Sequence, residues 1–235
     1  MTSTTSKSSF RDGVVAGVPF VFIVAPFGML FGVVAAGAGM SLIQTMAMTI
    51  VVIAGASQFT AVQLMTENAP VLITIAAALA VNLRMAMYSA SLQPYFQQAS
   101  LRDRMMIAFG NFDQSFALAS LQFENAPNMT TQERVRFFFG AVAIIASTWV
   151  TATFVGAAFG AVILPEDLPL DFAMPIMFLA IVSPMLKSAA HLAAAATSII
   201  VALALVGLPS GIGLIFAGLA AMAVGAEVER RGYGP

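Results

Sequence analysis

Apolar runs separated by short polar stretches divide the chain from end to end. They fall at about 14–38, 42–65, 71–92, 105–121, 137–163, 172–186, 189–206 and 211–226. A helix that crosses a bilayer needs about 20 mostly apolar residues, so these runs predict membrane helices and leave no room for a separate soluble domain. The count stands at seven or eight. The 105–121 run carries Asn111, Asp113 and Gln114, and the two runs between Asp171 and Val206 are short, so one segment can be re-entrant or broken. Between the fourth and fifth runs lies the linker QFENAPNMTTQERVRF, where Thr130 and Glu133 have capping-box spacing and predict a helix start.

Composition turns this pattern into a class. Of 235 residues 60% are hydrophobic and 9% charged, with a mean hydropathy of +0.92, against about 25% charged residues in a soluble domain. The chain is predicted to be an all-α integral membrane protein forming one transmembrane domain over residues 1–235. The Ser/Thr-rich tail Met1 to Phe10 leads into an apolar run with no small-residue cleavage site, which predicts a retained first helix. The absence of cysteine excludes disulfides and thiolate metal sites, and no metal or cofactor is expected. A net charge of −1 points to no nucleic-acid partner. With one His, no H-E-x-x-H and no G-x-S-x-G, the residues do not assemble an enzyme's catalytic set. Arg84 aside, eight spans with the N-terminus inside place Lys7, Arg11, Arg134, Arg136, Lys187, Arg230 and Arg231 in the cytoplasm, and only Arg102 and Arg104 outside. The positive-inside rule favours that topology.

The chain also resembles itself. A shift of 128 residues lays GMLFGVV (Gly28 to Val34) over GAAFGAV (Gly156 to Val162), and lays Gly55 and Ala56 over Ser183 and Pro184. Shared Gly, Ala and Val content is the competing explanation. The repeat reading gives halves of roughly 10–121 and 137–228, each with an interrupted helix at the same relative place. Small residues and Pro inside an apolar helix free backbone groups that only protein or a water-lined cavity can satisfy, and paired interruptions point to a transporter's central site. Ser183, Pro184 and Lys187 mark the interruption in the second half. The G-x-x-x-G pairs Gly13/Gly17, Gly28/Gly32 and Gly156/Gly160 read as helix-packing surfaces.

Polar residues fall on faces by the spacing of three and four. Thr45, Thr49, Val52, Ala56, Thr60 and Gln63 form one stripe on the second segment; Gly110, Asp113, Ala117 and Ser120 form another on the fourth. Arg84, Tyr88 and Ser91 share a face of the third. Lys187, His191 and Ser198 stack on the seventh, where Lys187 can snorkel to the surface. Arg84 lies too deep for that, and a central Arg costs about 2.5–3.5 kcal/mol to insert. Such a charge faces a cavity or a counter-charge. Asp113, the only acidic residue within a predicted span, is the natural partner.

GASQF at 55–59, NLRMAMYSASLQP at 82–94 and DQSFAL at 113–118 together resemble the landmarks of the AzlC family of branched-chain amino-acid transporters, over about Phe10 to Gly225. The chain departs from that pattern at Met85, Ser89 and Gln114, where the family often has His, Gly and Glu. The resemblance implies a multi-pass protein of the bacterial inner membrane. It implies export of leucine, isoleucine, valine and often methionine, driven by the proton gradient, with a small AzlD-type membrane subunit as partner. An amino-acid zwitterion needs donors for its carboxylate and acceptors for its ammonium. An interrupted helix at Gly55, Ala56, Ser57 and Gln58 offers free N–H groups and a positive dipole end. Arg84 serves either as a second carboxylate donor or as half of a gating pair with Asp113. Tyr88 sits beside it, and Asn82, Asp113 and freed carbonyls suit the ammonium. A passive channel or facilitator for small neutral solutes fits the same polar faces.

Overall fold

The computed structural model describes residues 6–163, 186, 188–207 and 212–233. Among the described residues every regular element is helical: α1 Ser6–Gly37, α2 Leu42–Val52, α3 Gly55–Thr66, α4 Val71–Leu92, α5 Leu101–Phe109, α6 Asp113–Asn125, α7 Thr131–Ile163, α8 Ala189–Ala204 and α9 Ile212–Val228. Among the described residues, three helical stretches are long and apolar enough to cross a membrane: Ser9–Gly37, Val71–Phe96 and Thr131–Gly160. The helices α2 and α8 are shorter and apolar.

The predicted run 71–92 coincides with α4, and 14–38, 137–163, 189–206 and 211–226 fall on α1, α7, α8 and α9. Capping places the start of α7 ahead of its apolar run. The Thr130 N–H donates to Glu133 Oε2 at 2.8 Å, and the Glu133 N–H donates to Thr130 Oγ1 at 3.3 Å. The runs 42–65 and 105–121 are each cut in two. The polar stripe from Thr45 to Gln63 therefore ends as a single face at Ile53, and Gly110 lies outside the helix that carries Asp113, Ala117 and Ser120. Apart from residue 186, the run 172–186 lies outside the described residues, as do Ser183, Pro184 and Lys187.

The chain falls into two units, one of residues 1–59 and 78–166, the other of residues 60–77 and 167–235. In the first, α1 and α7 run parallel and meet through glycines along most of their length. A Cβ on Gly140 would land on the Phe10 carbonyl oxygen, one on Gly13 on that of Phe137, one on Gly32 on that of Thr153, and one on Gly156 on that of Met29. At Gly160 it would lie 2.6 Å from Val33 Cγ2. All three G-x-x-x-G pairs lie in this seam, so small residues here let two backbones touch. That is how helices associate in lipid, where apolar side chains gain nothing from leaving water. At the end of the same unit Leu92, Phe96, Ile107, Phe123, Phe137 and Phe138 form a buried cluster joining α4 to α7. In the second unit, α8 and α9 form an antiparallel pair: Gly213 faces Leu205, and a Cβ on Gly225 would lie 3.2 Å from that of Ala194.

Candidate functional site

Two helix breaks in the first unit position the polar side chains. The first follows α2, which Ser41 caps through the Gln44 N–H at 3.3 Å. Ile53 ends α2 with φ 31° and ψ 46° in the left-handed region, a conformation that strains a β-branched residue by about 1–3 kcal/mol. The chain restarts as α3 at Gly55, where a side chain would meet Phe27 Cε1 at 2.7 Å and Trp149 Cη2 at 3.0 Å. Phe27, Phe31, Phe59 and Trp149 wall this turn, with ring centroids 5.1 Å apart for Phe27–Phe59 and 5.2 Å for Phe31–Phe59. Ser57 and Gln58 are fully buried. The Ser57 hydroxyl donates to the Ala78 carbonyl at 3.0 Å, and Gln58 Nε2 donates to Thr49 Oγ1 at 3.4 Å. Of the predicted GASQ set, Gln58 thus ties α3 back to α2 and Ser57 ties it to α4, while Gly55 and Ala56 are half-buried.

The second break runs from Gly110 to Phe112. The Gly110 N–H closes α5 on the Met106 carbonyl at 3.0 Å. Ser115 then ties the turn: its hydroxyl accepts from the Phe112 N–H at 3.0 Å and donates to the Gly110 carbonyl at 2.7 Å. This starts α6 at Asp113, whose carboxylate lies in the first turn, where the positive end of the helix dipole favours it.

Asp113 is the centre of a three-member set. Arg84 Nη2 lies 2.9 Å from Asp113 Oδ2, and the Tyr88 hydroxyl donates to Asp113 Oδ1 at 2.8 Å. Arg84 and Tyr88 are one helical turn apart on α4, so one face of that helix grips both carboxylate oxygens. The Tyr88 ring stacks on Phe116 at 4.2 Å and 9°, which fixes its hydroxyl. The side chains of Arg84 and Asp113 are 21% and 39% exposed, whereas Leu83 and Met87 on the outer face of α4 are far more open. Arg84 Nε is buried with no partner of its own, as is Asn82 Oδ1.

The structure therefore brings Arg84, Tyr88 and Asp113 together and sets the head of α3 apart from them. Ser57 is anchored at Ala78, six residues before Arg84, or roughly 9 Å along the helix. Asn82, about 200° around α4 from Arg84, points elsewhere. Asn111 and Ser115 were not legible as site residues from the apolar pattern. The signal was local: Gly-Asn followed by Asp-x-Ser inside an apolar run is turn chemistry. Asn111 is 1% exposed, its Nδ2 donates to Ser89 Oγ at 3.2 Å, and its Oδ1 accepts nothing.

Residues 19–163 match the family model described as AzlC protein. An uncharacterized membrane protein of Archaeoglobus fulgidus is 33% identical over 225 residues, covering 94% of this chain and 95% of its own. The inner membrane protein YgaZ of Escherichia coli is 24% identical over 178 residues, 74% of this chain and 71% of its own. An uncharacterized membrane protein of Helicobacter pylori is 28% identical over 152 residues, 65% of this chain and 64% of its own. No solved structure matches the chain.

Proposed function

The chain belongs to the AzlC family of membrane proteins, and from that membership and the Arg84–Asp113–Tyr88 set we propose that it is a secondary carrier exporting branched-chain and related hydrophobic amino acids. The single observation that carries the reading is an arginine deep in an apolar helix, held 2.9 Å from a carboxylate at a helix break. A charge costly to insert is retained in a membrane segment where it meets substrate or coupling ion. In this reading Arg84 offers its unpaired Nε to the substrate carboxylate. Asp113, faced by Arg84 and Tyr88, is the group on which protons and substrate act against each other. The turn at Gly55, Ala56, Ser57 and Gln58, at the positive end of the α3 dipole, is a second contact for the substrate carboxylate, and Asn82 is a further polar group on α4.

The protein sits in the inner membrane with its N-terminus in the cytoplasm, crosses seven or eight times, works with a small AzlD-type membrane subunit and uses the proton gradient. It carries out no covalent chemistry. The test is counterflow of labelled leucine in proteoliposomes holding the chain and its small partner. Saturable accumulation against unlabelled internal leucine is expected. Leucine flux that rises linearly with concentration and shows no counterflow would replace the carrier with a passive channel or facilitator.

A further inference from the structure

The second helix break holds more than the ion pair uses. Asn111 lies inside it, buried to 1% exposure, with its amide nitrogen committed to Ser89 Oγ at 3.2 Å. That bond fixes which way the side chain faces, and it leaves Asn111 Oδ1 as a buried acceptor with no donor. Buried acceptors are nearly always satisfied, so this oxygen is a site for a group that brings its own hydrogens.

The surroundings decide the sign of that group. Two residues on, the Asp113 carboxylate accepts one hydrogen bond at each oxygen, from Tyr88 and Arg84, and each oxygen has a second lone pair. The break joins the C-terminal end of the nine-residue α5, whose last carbonyls carry the negative end of a dipole, to the N-terminal end of α6, whose positive end the Asp113 carboxylate already faces. Asn111 Oδ1 and the Asp113 carboxylate are thus acceptors two residues apart at one turn. Two donors at the turn are committed: the Ser115 hydroxyl to the Gly110 carbonyl at 2.7 Å, and the Phe112 N–H to Ser115. Arg84 Nε, on the guanidinium that pairs with Asp113, is a buried donor with no partner.

We propose that Asn111 Oδ1 and the Asp113 carboxylate form the subsite for a primary ammonium group. The occupant is an α-amino acid whose carboxylate turns to Arg84 Nε. An ammonium has three donors and no acceptor, which is the complement of this turn. The proposal rests on the amino-acid carrier reading and adds to it the residue that distinguishes an amino acid from the same acid without its amino group. Ser89 acts as a positioning residue, since it touches Asn111 and not the substrate.

The test uses the full chain with its small partner in proteoliposomes and three competitors of labelled-leucine counterflow: leucine, 4-methylpentanoate, which lacks the ammonium, and 3-methylbutylamine, which lacks the carboxylate. Wild type is expected to prefer leucine strongly over both. Asn111→Ala should weaken leucine competition roughly ten- to hundredfold, the loss of one hydrogen bond to a charged group. It should leave competition by 4-methylpentanoate within about twofold, because that ligand never used Asn111. Asn111→Asp, which keeps an acceptor in place, should retain the preference for leucine. Ser89→Ala, the milder change, should lower that preference in the same direction and keeps the test open if Asn111→Ala does not fold. Equal losses for leucine and 4-methylpentanoate in both alanine variants, or an unchanged leucine preference, overturn the subsite while leaving the carrier intact. A wild-type chain without saturable leucine counterflow overturns the carrier reading and the subsite with it, an outcome read before any variant is made.

Discussion

The seam between α1 and α7 makes a quantitative prediction at Gly156. A Cβ there would fall on the Met29 carbonyl oxygen and lie 2.7 Å from the Met29 carbonyl carbon and 3.0 Å from its Cα. Those are backbone atoms in the middle of a helix, so no side chain can rotate away. The helices must part, and parting by 0.5–1 Å forfeits roughly a quarter to a half of the dispersion energy of each contact near the substitution. Overpacking of this kind costs about 1–3 kcal/mol, and the rigid partner argues for the upper end. Gly→Ala within a helix returns about 1 kcal/mol of propensity. The clash wins, and Gly156→Ala should lose about 2 kcal/mol net. Gly218→Ala in α9 is the control. Among the described residues its Cβ would meet nothing within 4 Å, so only the propensity term remains and the variant should be neutral or slightly more stable. Reversible unfolding in mixed micelles, followed by far-ultraviolet circular dichroism, measures both. A Gly156→Ala variant as stable as Gly218→Ala would falsify the close backbone contact.

Asp113→Asn removes the counter-charge of Arg84. With side chains 21% and 39% exposed, the cost lies between the surface and the buried limits, at about 1–3 kcal/mol. Labelled-leucine counterflow should fall in this variant; a rate equal to wild type removes Asp113 from the transport path. Tyr88→Phe keeps the stack on Phe116 and deletes the hydrogen bond to Asp113, which should lower the thermal midpoint by the equivalent of about 1 kcal/mol. A variant indistinguishable from wild type in melting and in leucine affinity would show that the hydroxyl is idle. Thr130→Ala opens the capping box of α7 at a cost of about 1 kcal/mol. Hydrogen exchange should then accelerate in the first turn of α7 and nowhere else; unchanged protection there would mean that the cap contributes nothing.

Most helices were legible because the bilayer demands long apolar runs and polar residues punctuate them: α4 coincides with its predicted run. The start of α7 was legible for a different reason, since Thr130 and Glu133 name the cap directly. The breaks at Ile53 and Gly110–Phe112 were only half legible. Periodicity carries smoothly across a break when residues on both sides are apolar, and Ile53, a β-branched residue, gives no warning of a left-handed conformation. The Arg84–Asp113 pair could be deduced because an isolated charge in an apolar helix has few ways to be satisfied, and Tyr88 followed from the i, i+4 spacing. Asn111 could not be found this way, because an amide is cheap enough to bury that its presence sets no requirement. The spacing of the two sets was not legible, because it depends on a contact between helices: the anchor of Ser57 at Ala78 places the turn of Gly55–Gln58 about 9 Å from Arg84 along α4.

The glycine seam also sets an order of events during synthesis. The face of α1 that carries Gly13, Gly17, Gly28 and Gly32 meets residues of α7 that lie about 120–130 positions later in the chain. At ordinary translation speeds that is a wait of about 6–25 seconds, during which α1 sits in the lipid with its glycine groove uncovered. Other chains with small-residue grooves are its competitors in that interval. A nascent chain arrested before α7 is therefore the form most prone to pair with the wrong neighbour, and the emergence of α7 is the step that commits the first unit to its own architecture.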